Sequence, residues 1–222
     1  MKNLINNVIV MKKTLVIVAL LATAVTGRAQ GETGSWTLVP RVGFNFAKVT
    51  EPDLWIGENV KKKPSNKTGL VIGAEAEYQL NDYLSCNAGL FYSQQGSRYR
   101  DAGEFRNMKT TIDYLNVPLT VGVWLGNGLS LRSGIQVGYA INTKVEAEEL
   151  YNGNWEPSDV AGDASWYRRW DVSLPVAVSF ELQRIRVDLR YNIGLNYLTH
   201  YGDVIPERNR VLQLTVGYCL DL

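Results

Sequence analysis

The chain has 222 residues, is 45% hydrophobic and carries a formal net charge of +1. With no basic cluster beyond Lys61–Lys63, it lacks the electrostatic footprint of a nucleic-acid binder. No cofactor is implied, the spacing of its Cys, His, Asp and Glu residues suggests no metal site, and no segment beyond the N-terminal region is apolar enough for a transmembrane helix. Any membrane residence must therefore come from strands.

The N-terminal region has the order of a secretory signal peptide. Lys12 and Lys13 precede an apolar run from Leu15 to Val25, followed by Thr26, Gly27, Arg28 and Ala29. The run is well short of the roughly 20 residues that a membrane-spanning helix needs. Residues 1–29 are expected to be removed, with Gln30 the new N-terminus and Met1–Val10 an over-called start. No cysteine follows the run, so a lipoprotein anchor has no acceptor. Residues 30–222 show no Pro/Ser-rich linker and are expected to form one domain.

From Trp36 onward the dominant signal is alternation with a period of two, and it recurs in eight segments. The first sets Trp36, Leu38, Val42, Phe44 and Phe46 against Thr37, Arg41, Gly43 and Asn45. The second opposes Leu70, Ile72, Ala74, Ala76, Tyr78 and Leu80 to Gly73, Glu75, Glu77 and Gln79. The third places Leu84, Cys86, Ala88, Leu90 and Tyr92 opposite Ser85, Asn87, Gly89, Ser93 and Gln95. In the fourth, Leu115 to Leu125 at alternate positions face away from Asn116, Pro118, Thr120 and Gly122.

The fifth alternates Leu129, Leu131, Ile135, Val137, Tyr139 and Ile141 with Ser130, Arg132, Gly134, Gln136, Gly138, Asn142 and Lys144. The sixth opposes Trp170, Val172, Leu174, Val176, Val178, Phe180 and Leu182 to Asp171, Ser173, Ala177, Ser179 and Glu181. The seventh interleaves apolar residues from Ile185 to Tyr197 with Arg186, Asp188, Arg190, Asn192, Gly194 and Asn196. The eighth sets Leu214, Val216, Tyr218, Leu220 and Leu222 against Gln213, Thr215, Gly217, Cys219 and Asp221. Cys86 and Cys219 fall on opposite faces, which disfavours a disulfide.

The connections alternate as well. Asn81-Asp82, Gly126-Asn127-Gly128 and Gln183-Arg184 are short turns, whereas Thr50–Asn66, Arg100–Met108, Ala147–Tyr167 and Leu198–Glu207 are long. An even strand count, short turns at one rim and long polar loops at the other predict an all-β fold: an eight-stranded antiparallel up-and-down transmembrane β-barrel. The short rim would face the periplasm.

Orientation follows from volume and charge. The lumen of an eight-stranded barrel only just holds its own side chains, too little for the bulky apolar face but suited to the glycine-bearing one. A charged row facing lipid would cost roughly 2–4 kcal/mol for each Arg or Lys at mid-membrane. The expected lumen network is Arg41, Glu75, Glu77, Arg132, Lys144, Asp171, Glu181, Arg186, Asp188 and Arg190, with Glu146 and Asp221 on the same face. Such a set pairs across a narrow lumen and plugs it; the competing reading is a polar path for protons, ions or a small solute. Tyr78, Tyr83, Tyr92, Trp170, Tyr191, Tyr197 and Tyr218 sit where interfacial aromatic girdles belong.

Several segments carry a family resemblance. Tyr92-Ser93-Gln94-Gln95-Gly96-Ser97, Tyr114-Leu115-Asn116-Val117-Pro118-Leu119, Gly134 with Gly138-Tyr139, Asp188 to Leu195 and the closing Leu214-Thr215-Val216-Gly217-Tyr218 resemble the porin-like, PorT-type outer-membrane β-barrel family of Bacteroidota. The resemblance spans nearly all of the mature chain. It implies an outer-membrane location in a Gram-negative bacterium, and one branch of the family is associated with protein secretion. Many such barrels end in an aromatic residue, whereas this chain ends in Leu222.

Expected partners are outer-membrane lipid, and lipopolysaccharide or envelope and secretion proteins at the loops; Lys61, Lys62 and Lys63 could touch anionic headgroups. A rim enzyme would need a nucleophile, a base and an orienting group. The only histidine is His200, near Tyr201 and Asp203, with no serine in a recognisable setting, so no catalytic residues are expected. The acidic loop with Glu148, Glu149, Glu156, Asp159 and Asp163 lacks the 12-residue spacing of a calcium loop and reads as solvated charge. The expected function is a structural or interaction barrel, assisting secretion or envelope integrity. A small porin-like channel, a barrel enzyme active at the outer rim and a soluble ligand-binding barrel are the alternatives.

Overall fold

The computed structural model describes residues 32–50, 54–56, 60–62, 64–99, 105–151, 153–157, 167–200 and 207–222. The expected signal peptide, residues 1–29, lies outside them. The described elements in chain order are β1 (Trp36–Val49), β2 (Leu54–Ile56), β3 (Val60–Lys62), β4 (Pro64–Gln79), β5 (Leu84–Tyr99) and β6 (Phe105–Gly126). They continue with β7 (Leu129–Tyr151), β8 (Asn154–Pro157), β9 (Trp170–Leu182), β10 (Ile185–Gly194), β11 (Asn209–Tyr218) and β12 (Leu220–Asp221). Eight long strands pair antiparallel in the order β11-β10-β9-β7-β6-β5-β4-β1, and β1 pairs back onto β11, with Phe44 opposite Leu214, so the sheet closes. The expected barrel is the observed one.

The alternation has the predicted sense. Val42, Phe44, Ile72, Leu90, Leu119, Val176, Leu189 and Val216 lie exposed on the outside. Arg41, Glu75, Asn116, Arg132, Ser179, Asp188 and Thr215 are buried inside. A sheet can expose this much apolar area only where its solvent is hydrocarbon. Closure also brings backbones close together: a Cβ built on Gly134 would stand 2.1 Å from the carbonyl oxygen of Leu119, and one on Gly73 would stand 2.2 Å from that of Leu90. The hairpin turn after β6 needs left-handed backbone at Asn127 (φ 50°) and Gly128 (φ 77°), the demand that Asn-Gly meets at least cost.

The strands differ from expectation in length. β10 and β11 have 10 residues each, what a tilted strand needs to cross a bilayer. β6 and β7, with 22 and 23 residues, continue far past the apolar belt, together with β5 and the small β8. Residues 105–108 and 147–151 fall within the expected long loops, because above the membrane both faces of a strand meet polar surroundings and the hydrophobic alternation disappears. β10 is shorter than its uninterrupted pattern. It ends at Gly194, and Asn196 caps the exit, its Oδ1 accepting from the Val172 amide at 2.7 Å and its Nδ2 donating to the Trp170 carbonyl at 2.9 Å.

Candidate functional site

The barrel interior is filled from the short-turn end upward. Nearest that end, Arg186 on β10 binds two carboxylates: its Nη1 and Nη2 donate to Glu77 at 3.0 and 2.9 Å, and its Nε donates to Glu181 at 2.8 Å. Trp124, 2% exposed, lies beneath this guanidinium at 5.3 Å. The alternation that sends Val123 and Leu125 outward places the tryptophan between them in the lumen.

The barrel centre holds a denser cluster. Glu75 on β4 accepts from Arg41 at 2.7 Å and from Arg190 at 2.9 Å, and it also accepts from Arg132. Asp188 on β10 accepts from Arg132 at 2.6 Å and from the Ser179 hydroxyl at 2.6 Å, and contacts Arg41 at 3.3 Å. Arg190 also lies over the ring of Phe91, at 5.9 Å, a second aromatic that the alternation of β5 turns inward. In formal charges, three arginines face two carboxylates in the centre, while one arginine faces two below. The excesses of +1 and −1 cancel across adjoining layers, so these two layers are neutral together. Uncompensated charge here would cost several kcal/mol per ion.

Of the ten expected network residues, eight meet in these two clusters. Asp171 is buried on the inner face but higher, toward the long-loop end, where it is hydrogen-bonded to Asn209, which itself donates to Gln95. Lys144 is not in the lumen. Asp113 pairs with Asn142 while the next pair is Tyr114 with Ala140, so Ile141 is an extra residue in β7. This bulge reverses the facing of everything beyond it. Lys144 and Glu146 therefore lie on the outer face, Nζ to Oε1 2.8 Å, with Lys109 on the other side of Glu146, while Val145 and Ala147 turn inward and are buried. Asp221 keeps the predicted facing but sits at the open rim, where it meets Arg184 at 3.7 Å.

At the long-loop end Tyr99, Leu198 and Glu207 are all buried among the described residues. The Leu198 amide donates to the Glu207 carbonyl at 2.9 Å. Burial raises the Glu207 carboxyl to about 7, although the Tyr99 hydroxyl bonded to it works the other way. Among the described residues no group of three or more His, Cys, Asp or Glu side chains could hold a metal ion. His200 is exposed at the outer edge, and its neighbours Tyr201 and Asp203 lie outside the described residues. Cys86 faces out and Cys219 in, and neither is bonded to the other.

The closed barrel, its apolar exterior and its charged interior agree with the sequence comparison. A family model described as outer membrane protein beta-barrel domain matches residues 28–200. The chain belongs to this family. It is thus an outer-membrane barrel of the Gram-negative kind, crossing the bilayer with strands. Among solved structures it is similar to Ail of Yersinia pestis in complex with the heparin analogue sucrose octasulfate, at 12% identity and a TM-score of 0.48, over 85% of this chain and 100% of that one. It is also similar to OprG of Pseudomonas aeruginosa, with 11% identity, TM-score 0.46 and coverage of 86% and 98%. The Neisserial surface protein A likewise resembles the barrel, at 13% identity, TM-score 0.42 and coverage of 85% and 99%. No curated protein matches the chain.

Proposed function

We propose that this outer-membrane barrel is closed to solutes and serves as a rigid membrane platform, displaying its extended β5–β8 sheet and long loops to a partner in the envelope or outside the cell. The observation that carries this reading is the central interlock, in which Glu75 on β4 draws together Arg41, Arg132 and Arg190 from three other strands, with every member 1–2% exposed at the side chain. Guanidinium groups that cross the axis from several walls occupy the space a solute would need, in a lumen already at the lower limit of width. A polar channel would instead line its path with groups left facing water.

The chemistry of the rim supports a non-enzymatic role, since His200 stands exposed and a nucleophile, base and orienting group would all be required. Within this reading, the PorT-type resemblance favours a contribution to secretion or envelope integrity over transport. Planar-bilayer recording of the purified barrel tests the proposal. The expected trace is flat, and steady, solute-selective steps would replace this reading with a small pore.

A further inference from the structure

Asn116, Tyr114 and Asp171 converge over the backbone of Gly138 on the inner face of the barrel, above the two charged layers. Asn116 on β6 pairs with Gly138 on β7, and Gly138 pairs in turn with Asp171 on β9, so asparagine, glycine and aspartate form one row across the wall. Having no side chain, Gly138 leaves its neighbours room. A Cβ built there would stand 2.4 Å from the Asn116 Oδ1, 3.3 Å from the Tyr114 Cδ1 and 3.6 Å from the Asp171 Cβ. Asn116 and Asp171 are each 3% exposed, and Tyr114 is fully buried.

What these side chains bring together is oxygen. The Asp171 Oδ1, the Asn116 Oδ1 and the Tyr114 hydroxyl are all buried without a hydrogen-bond partner, a condition that folded interiors rarely tolerate. Asp171 accepts from Asn209, whose amide nitrogen also donates to Gln95, but it meets no cation among the described residues. Arg41, Arg132, Arg186 and Arg190 are committed to the layers below. The inward Lys67 donates to the Gln95 carbonyl at 3.1 Å. Because the two lower layers balance each other, the Asp171 carboxylate adds a negative charge that nothing offsets. A hydrogen bond from a neutral amide does not repay the desolvation of a buried ion.

We propose that Asp171, Asn116 and Tyr114 bind a monovalent metal cation, of the sodium or potassium class, inside the barrel. Carbonyl oxygens can replace the hydration shell of such an ion. Here one carboxylate supplies the matching charge, while the amide and phenol oxygens supply dipoles. A divalent ion would reverse the imbalance instead of removing it, and calcium sites gather more carboxylate than this one holds. The bound ion ties β6 to β9 over the bare backbone of Gly138 and stiffens the wall above the arginine interlock. The site stands whatever the long loops bind. Its rival is a proton on Asp171, which would neutralise the same charge without a metal.

The test uses the full chain folded in zwitterionic detergent near neutral pH and unfolded with urea in sodium, potassium or N-methylglucamine chloride at equal ionic strength. N-methylglucamine is too bulky to enter the row. With sodium or potassium at about ten times its dissociation constant, the unfolding equilibrium constant is expected to fall about tenfold relative to N-methylglucamine. Asp171→Asn keeps the shape and removes the buried charge, so it should fold and be equally stable in the three salts. Infrared spectra of protein carrying isotope-labelled aspartate give a readout apart from stability, and in sodium Asp171 is expected to be ionised. A parent protein equally stable in all three salts would overturn the proposal, as would a salt difference that survives Asp171→Asn. A protonated-carboxyl band in sodium that Asp171→Asn removes would assign the neutralisation to a proton and overturn it too.

Discussion

Arg186 and Glu77 form a two-pronged ion pair across the lumen, at 2.9 and 3.0 Å, although β10 and β4 are separated by β11 and β1 around the wall. The pair therefore staples the barrel across its bore as well as along its ladders. Replacing Arg186 by Met leaves Glu77 and Glu181 buried without a cation, and the expected loss is about 3–5 kcal/mol. The further change Glu77→Gln should recover part of it, because less unpaired charge then remains. Urea unfolding of the two variants in lipid vesicles gives both numbers, and a double variant no better than the single would mean that the pair does not act as a unit.

Glu75 and Asp188 together offset two of the three central arginine charges, and the acidic layer below offsets the third. Converting both to Ala leaves three like charges facing one another around a widened bore. If the barrel still folds, the variant should show brief, anion-selective openings where the parent shows none. The reversal potential in a salt gradient measures the selectivity. A silent variant would show that packing, rather than the charge interlock, closes the lumen.

The bulge at Ile141 separates what the sequence could disclose from what it could not. Inside the membrane two different solvents act on the two faces of each strand, so Arg132, Glu75 and Arg190 announce their facing by alternation with Leu131, Ala74 and Leu189. Beyond the belt both faces meet polar surroundings, and that constraint disappears. Lys144 follows Asn142 and Arg132 in parity, yet one extra residue reverses it, and nothing in the polar segment betrays the shift. Trp124 and Phe91 were legible by the same parity rule and needed only the inference that a lumen can hold an aromatic beneath an arginine. The place where β7 and β9 stop pairing, at Tyr139 opposite Trp170, was not legible either. With the bulge in place, a cysteine at Lys144 should react from outside intact cells with a membrane-impermeant maleimide, while one at Val145 should be protected. The reverse pattern would restore the uninterrupted register.

Gly134 sits where β7 presses on β6, and the added methyl of Gly134→Ala would fall 2.1 Å from the Leu119 carbonyl oxygen. Backbone cannot yield as a side-chain tip can, so the strands must separate. The expected cost is about 1–3 kcal/mol, with a lowered unfolding midpoint in vesicles. Gly126→Ala makes a useful contrast, because no atom lies within 4 Å of its added carbon. Its penalty should come from the left-handed backbone, φ 91°, and should appear as slower hairpin formation as well as reduced stability.

Glu207 gives the closure it makes with Leu198 and Tyr99 at the long-loop end a dependence on pH with a definite sign. Its buried carboxyl is raised from the ordinary 4.5 to about 7. Below about pH 4.5 the acid is neutral both when buried and when released, and the closure keeps its full stability. Between that point and about pH 7 the released form ionises while the buried form does not, so opening gains on closing. Above about 7 both forms are ionised and the loss is complete. The protection factor of the Leu198 amide, which donates to the Glu207 carbonyl, reports the closure directly. It should fall as pH rises through this window, and Glu207→Gln should hold it near the low-pH value throughout. A parent protein with a flat profile, or a variant with the same slope as the parent, would place the titrating group elsewhere.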